Sequence, residues 1–572
     1  MSNTARFPLR WHLVALGGWV IWMTAHLLPR PLLVDEVAFA SWAAAPFAPY
    51  PHPPLYMWAL AALHYGLRVP PYLLRCVGIV AIGLSAVAAY QLAERWERGA
   101  GRWTLWLLLT NPLLLQGAMV LDIDNTILTW WLTISVWWMS RVAWPLSRRL
   151  VIVMGFWWAL GLWMKLTTPL LWPGALWVVY AARGQGRRGL NDVAMMSAVG
   201  LVAFLAVWTL YSGLVGISWP RVFMGRTVDV LLRGPTNFDS SMTKELASRA
   251  VRIGLWIGPI ALGLWVVATV HVARTWKQFQ AREALVLAMV MGWAVLAGYW
   301  FVGGVNWSFA KYHCPFIPLL AAVSGAAVAR VTRRCRLSGV LLAGLAGVMA
   351  LWSGRVVGDL LYLVNHTLRH ASMFAPERLS QETHTLLVRL VWMIGGAGGI
   401  AIILWRFRAR LQLTRVGAVS VALALGAIGS NLGLTALQAG APYSTAYCYG
   451  RSWATDRATI QSIKTFVHEH PAARLLVPET AYALATGLSC EQQPTCTLWT
   501  GFETPQSLAA ALRQLDYVLI DPDYNYARLF RAVLPAAEVM AVLQADFESS
   551  AVGTATAWTR RSLPPPLHGG RV

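Results

Sequence analysis

Of 572 residues only 25 are Asp or Glu, and two of these stand side by side in Val34-Asp35-Glu36-Val37. The pair follows the first apolar run directly, set off from it by Pro29-Arg30-Pro31. Carboxylates at the mouth of so apolar a chain must be solvated, paired or used. A solvated loop pair is the plain reading, and the other polar residues argue for use. His52 sits in Pro51-His52-Pro53-Pro54, Arg75 heads an apolar run, and Asp122 and Asp124 share Leu121-Asp122-Ile123-Asp124-Asn125. Lys165 lies in Trp163-Met164-Lys165-Leu166-Thr167, and Lys311-Tyr312-His313 precedes Pro315. Each has an ordinary alternative. Arg75 and Lys165 suit snorkelling anchors, His52 a turn, Lys311 a headgroup contact, and Asp122 or Asp124 a helix N-cap. Together they place two carboxylate sites and several cations on one surface, which is what attack on a sugar phosphate requires. A carboxylate takes the acceptor's proton, cations stabilise the departing phosphate, and a membrane-embedded face admits a lipid-linked donor.

The elements that must position these residues are hydrophobic helices. The chain is 57% hydrophobic and 13% charged, with 32 Trp, whereas soluble domains average roughly a quarter charged residues. Thirteen apolar segments of transmembrane character are read, at 11–29, 73–93, 103–120, 126–141, 150–164, 167–182, 193–214, 252–272, 284–303, 315–330, 338–355, 386–405 and 415–438. The abundant Trp suits the headgroup boundary. The first segment has no clean small-x-small cleavage site before Asp35, so it reads as a retained anchor rather than a signal peptide.

The net charge of +22 would point to nucleic acid in a soluble protein. Here the basic residues cluster in every second short loop: Arg6 and Arg10, then Arg95, Arg98 and Arg102, then Arg148 and Arg149, and onward to Arg333, Arg334 and Arg336 and to Arg408 and Arg410. This is the positive-inside pattern. It puts the N-terminus in the cytoplasm and, after thirteen spans, the C-terminus outside, in the cell (inner) membrane, with no nucleic-acid partner. The long loops 30–72, 214–251 and 356–385 then face outward, as do all the polar residues singled out above. Within the first of them, Pro53-Pro54-Leu55 through Leu67 reads as a short interfacial helix started by prolines.

From residue 439 onward polar residues return. Strands are expected at 474–477, 496–499 and 517–520, and helices at 480–488, 508–515 and 527–543. The alternation marks a small α/β domain over 439–562, outside the membrane domain of 1–438, with a disordered tail at 563–572. Cys490 and Cys496 flank a short turn there, and an oxidising compartment favours a disulfide between them. No cysteine or histidine spacing matches a metal motif, and neither a metal nor another cofactor is expected.

Asp35-Glu36-x-x-Phe39, His52-Pro53-Pro54-Leu55, Leu73-Leu74-Arg75, Asp124 at the head of the fourth segment and Lys165 resemble, in order and spacing over the first 180 or so residues, the bacterial protein-mannosyltransferase and aminoarabinose-transferase superfamily. Lys311-Tyr312-His313-x-Pro315 is a looser match. The resemblance implies a GT-C fold: about 13 transmembrane helices and an extracytoplasmic C-terminal domain. It implies a glycosyltransferase that takes a sugar from a polyprenyl-phosphate carrier and delivers it to an envelope acceptor, whether lipid A, glycan or protein. Asp35 would be the catalytic carboxylate and Asp124 the second acid, with Asp122 as the alternative for that place. Arg75, Lys165 and Lys311 would meet the donor phosphate, and Glu36, His52, Tyr312 and His313 would line the substrate site. The chain departs from the aminoarabinose branch, having Ala38 where that branch has Arg, and Pro51-His52-Pro53 where it has Glu-Lys-Pro. The His-Pro-Pro-Leu form is nearer the general bacterial branch. Two rival classes are a lipid or solute transporter, for which charges near the bilayer midplane are expected, and a non-catalytic envelope assembly partner.

Overall fold

The computed structural model describes residues 9–27, 53–69, 71–216, 257–301, 310–333, 338–357 and 376–440, parts of 443–561, and isolated positions elsewhere, among them Glu36, Phe39 and Trp42. The membrane part is a stack of helices: α1 (Leu9–Leu27), α2 (Leu55–Ala61), α3 (Cys76–Trp96), α4 (Ala100–Leu109), α5 (Pro112–Ala118), α6 (Thr129–Met139), α7 (Arg148–Met164) and α8 (Trp172–Ala182). These are followed by α9 (Gly186–Val215), α10 (Pro259–Thr275), α11 (Arg282–Phe301), α12 (Ile317–Thr332), α13 (Gly339–Val357), α14 (Pro376–Arg406) and α15 (Arg415–Gly440). Among the described residues, helix covers most of each apolar segment. Six helices are long and apolar enough to cross a bilayer by length and composition alone: those within Leu73–Trp96, Gly186–Val215, Arg282–Phe301, Lys311–Thr332, Leu387–Arg406 and Arg415–Ala436.

The packing explains the composition. On α3 the residues Ile82, Ala86, Ala89 and Ala93 face inward at helical spacing, while Val80, Leu84 and Val87 on the opposite side are exposed. A helix apolar on both faces, one of them turned away from the protein, suits a lipid environment. The chain is a multi-pass membrane protein. At the centre lies α12, buried along nearly its whole length. Its small residues let backbones approach: a Cβ at Gly325 would collide with the Thr104 hydroxyl and stand 3.0 Å from the Ala100 carbonyl oxygen.

Two boundaries differ from expectation. The segment 103–120 is two helices, because Pro112 lacks an amide hydrogen and disfavours helical geometry at Asn111. The Asn111 side chain starts the second helix by accepting from the Leu114 amide at 3.2 Å. Helix α14 begins at Pro376, inside the stretch expected as loop 356–385, with proline at a position that a helix start tolerates. The proline-started helix in the first loop is α2, continued by a π-helical turn at Ala62–Gly66. Its Tyr56, Met57 and Leu60 are buried, and Trp58 packs on Trp163 and Tyr211 at 6.0 and 5.5 Å.

The C-terminal part contains a short ribbon, β1 (Tyr443–Ser444) against β2 (Arg451–Ser452), and a five-stranded sheet. The sheet runs in the order β4 (Cys496–Leu498), β3 (Leu475–Val477), β5 (Tyr517–Ile520), β7 (Ala555–Arg560), β6 (Phe547–Val552). The pairings among β3, β4 and β5 are parallel and those to β6 and β7 antiparallel. Helices α16 (Pro505–Leu512) and α17 (Ala537–Asp546) bury Leu508, Leu512, Val539 and Leu543 together with Leu476 and Val518 of the sheet. The β6–β7 hairpin adds two strands that the sequence reading did not contain. Burial raises the Asp516 carboxyl, but hydrogen bonds from the Arg474 guanidinium and backbone amide outweigh it and hold it below the usual carboxylate range. Cys490 lies outside the described residues, and of Cys496 only the backbone is described, so its pairing with Cys490 stands as a proposal.

Candidate active site

Five helix ends converge: the starts of α3, α6 and α12 and the ends of α7 and α11. Arg75 is the last residue before α3. Asp124 opens a π-helical turn, Asp124–Leu128, that leads into α6, a local widening that is frequent at functional sites. Lys165 ends α7 in extended backbone. Lys311 and Tyr312 belong to the 3₁₀ turn before α12, and Tyr299 comes from the last turn of α11.

Glu36 is fully buried and accepts from two Arg75 nitrogens, Nε to Oε1 and Nη2 to Oε2, both at 2.7 Å. Oε1 also accepts from the Leu121 amide at 2.9 Å. The next residue, Asp122, holds Lys311 Nζ on Oδ2 at 2.5 Å and accepts the Asp124 amide on Oδ1 at 3.1 Å. Asp124 in turn bonds Lys165 through Oδ2, while its buried Oδ1 has no hydrogen-bond partner among the described residues. Both ammonium groups lie over the Tyr312 ring, Lys165 at 4.7 Å and Lys311 at 5.6 Å from its centre, within cation–π range. Tyr312 stacks on Tyr299 with centroids 5.0 Å apart. The Tyr299 hydroxyl donates to Thr167 Oγ1 at 2.9 Å, and the buried His313 ring meets Tyr299 edge-on at 5.9 Å.

The two lysines retain 12% and 14% exposure, against 0% and 3% for their Asp partners. The cations are therefore more accessible than the carboxylates that hold them. Such an arrangement can bind an anion at the ammonium groups and can accept a proton at Asp124 Oδ1.

Glu36, Arg75, Asp122, Asp124, Lys165, Lys311 and Tyr312, singled out in the sequence, thus form one contiguous network, with His313 behind it. Asp35 and His52 lie outside the described residues. Several residues of the network escaped the sequence reading. Thr129 Oγ1 donates to the Asp124 carbonyl at 2.7 Å, Thr126 bonds the Asp122 carbonyl, and the Asn125 amide bonds the Gly117 carbonyl. The Asn-Thr dipeptide directly after Asp124 was a usable signal for Asn125 and Thr126; Thr129 and Tyr299 had none. Among the described residues no group of three or more His, Cys, Asp or Glu is placed to hold a metal ion.

The membrane domain, with its polar helix-end site, and the small sheet domain after it define a polytopic membrane protein of the GT-C fold class. The same fold is seen in ArnT from Cupriavidus metallidurans bound to undecaprenyl phosphate, at 16% identity and a TM-score of 0.56, covering 97% of this chain and 99% of that one. The apo state of ArnT matches at 16% identity and a TM-score of 0.54, covering 96% and 98%. No family model matches the sequence, and no curated protein does.

Proposed function

We propose that this chain is an integral-membrane glycosyltransferase that moves a sugar from a polyprenyl-phosphate donor to an envelope acceptor at the outer face of the membrane. The observation that carries this reading is the pair of partly exposed lysines over Tyr312, set at converging helix ends within a GT-C fold. The solved ArnT complex, in which undecaprenyl phosphate is bound, supports a lipid phosphate as the anion.

In the proposed reaction the acceptor's hydroxyl or phosphate oxygen attacks the anomeric carbon. Its proton, where it carries one, passes to Asp35. The bond from the anomeric carbon to the phosphate oxygen breaks, and polyprenyl phosphate leaves with the electron pair. A single in-line displacement inverts the anomeric configuration. Lys165 and Lys311 stabilise the negative charge that grows on the departing phosphate. Asp124 holds Lys165 and, with a buried Oδ1 that accepts no hydrogen bond among the described residues, serves as the second acid.

The test is mass spectrometry of envelope lipids, glycans and glycoproteins from cells with and without the gene. A hexose or pentose increment that disappears with the gene is the expected result. Identical envelopes, together with no transfer by the purified protein from polyprenyl-phosphate sugars, would refute the reading.

A further inference from the structure

We infer that Glu36 and Arg75 form a positioning clamp that fixes the acidic turn carrying Asp122 and Asp124, and that Arg75 is not a ligand of the donor phosphate. The inference rests on the proposed transferase reading for its kinetic consequences only.

Three observations carry it. First, the guanidinium is committed: two of its nitrogens lie 2.7 Å from the two oxygens of one carboxylate, the planar fork-to-fork geometry of a strong pair. Second, neither partner has an open side, with 2% and 0% exposure, unlike the two lysines. A phosphate would have to displace Glu36 and leave it buried and uncompensated, which is strongly unfavourable. Third, the pair reaches the acidic turn directly. Glu36 Oε1 takes the Leu121 amide, one residue before Asp122. One turn into α3, a Cβ at Gly78 would collide with the Ala118 carbonyl and stand 2.8 Å from Thr126 Cγ2. The start of α3 therefore grips the turn twice, by hydrogen bonding through Glu36 and by close packing at Gly78. Glu36 itself belongs to the first loop of the sequence, so the pair ties that residue to the turn.

A clamp and a phosphate ligand respond differently to paired substitution. Removing one charge of a buried pair strands the other, whereas removing both is often tolerated. The experiment uses full-length protein in lipid nanodiscs, with Glu36→Gln, Arg75→Gln and the double variant. The readouts are the thermal midpoint, hydrogen exchange at the Leu121 amide, and the kinetics with a polyprenyl-phosphate sugar.

For a clamp, each single variant lowers the midpoint and speeds Leu121 exchange. Each lowers kcat by about 10-fold or more while donor KM stays within about 2-fold, the signature of lost alignment rather than lost ground-state binding. The double variant recovers at least about half of the midpoint loss, a coupling expected of residues in direct contact. An Arg75→Gln variant with unchanged midpoint and Leu121 exchange but a donor KM raised about 10-fold would overturn the inference. So would a double variant whose midpoint falls by the sum of the two singles. The midpoint and exchange arms judge the clamp even if the protein transfers no sugar, so failure of the clamp and failure of the transferase reading are distinguishable.

Discussion

Lys165 and Lys311 come from different helices and bond different carboxylates, yet both hold their ammonium groups over the single ring of Tyr312. Two cations at this spacing repel each other, and the two Asp side chains behind them offset that repulsion. Under the proposed reading, a donor phosphate would offset it further.

Lys165→Ala should therefore weaken use of a polyprenyl-phosphate donor by about 2 kcal/mol or more in kcat/KM, the scale of a lost charge-assisted contact. The substitution also strands Asp124, so Lys165→Ala/Asp124→Asn is the companion that restores charge balance. Recovery of stability without recovery of donor use is the expected pattern. If Lys165→Ala leaves donor affinity and turnover unchanged, the lysine serves only to hold Asp124.

Asp35→Asn should reduce transfer by roughly 10²-fold or more, the usual scale for loss of a general base, while the protein still inserts and folds. Glu36→Gln should lower the unfolding midpoint together with turnover, since breaking a buried ion pair costs roughly 3–5 kcal/mol. The neighbours thus separate by readout: turnover alone for Asp35, turnover and the unfolding midpoint together for Glu36. Wild-type turnover by purified Asp35→Asn would end its catalytic assignment and move weight to Asp124.

This contrast marks the boundary of what the sequence makes legible. Apolar length and composition disclose the helices, because burial and lipid exposure both select the same residues. The break at Asn111-Pro112 is hidden by the hydrophobicity on either side of it. The β6–β7 hairpin is hidden because Ser, Thr and Ala fill so many of its positions that its alternation is faint. The chemistry-bearing residues stand out through their rarity, but their partners do not. Glu36 finds Arg75 across 39 residues, Asp124 finds Lys165 across 41, and Asp122 finds Lys311 across 189. Only the folded packing of helix ends selects those pairings. Sequence alone therefore grouped Arg75 with the lysines, having no means of seeing its ion pair with Glu36.

Reporter fusions after Arg188 and Arg336 should read cytoplasmic, and fusions after Asp239 and Gly450 exterior, because the short basic loops alternate with the long ones. A cytoplasmic signal at Gly450 would put the sheet domain on the opposite side from the proposed reaction and break the thirteen-span arrangement.

In the sheet domain, Asp516 should stabilise the fold only while ionised. Its folded-state pKa lies below the ordinary value, so its contribution is complete above the usual Asp range of about 4 and fades as pH falls through the lowered value. The difference in thermal midpoint between wild type and Asp516→Asn should be constant above about pH 5 and shrink in more acid solution. Arg474 is largely exposed, so added salt should also shrink it. A midpoint difference that grows on acidification would contradict the pairing.

The ion pairs at the two ends of α3 have a consequence for depth in the bilayer. Arg75 is held by Glu36 at one end, and Glu97 is held by Arg330 of α12 at 2.9 Å at the other. The 21-residue helix between them covers about 32 Å at roughly 1.5 Å per residue, close to the roughly 30 Å of a bilayer's hydrocarbon layer. Because both ends are tied to other segments, α3 is hindered from tilting or sliding independently to suit a thinner or thicker membrane, the usual response to hydrophobic mismatch. The lipid must adapt to the protein instead. Under the proposed reading, membrane thickness then becomes a variable that sets how well a lipid-anchored donor and the site are matched in height.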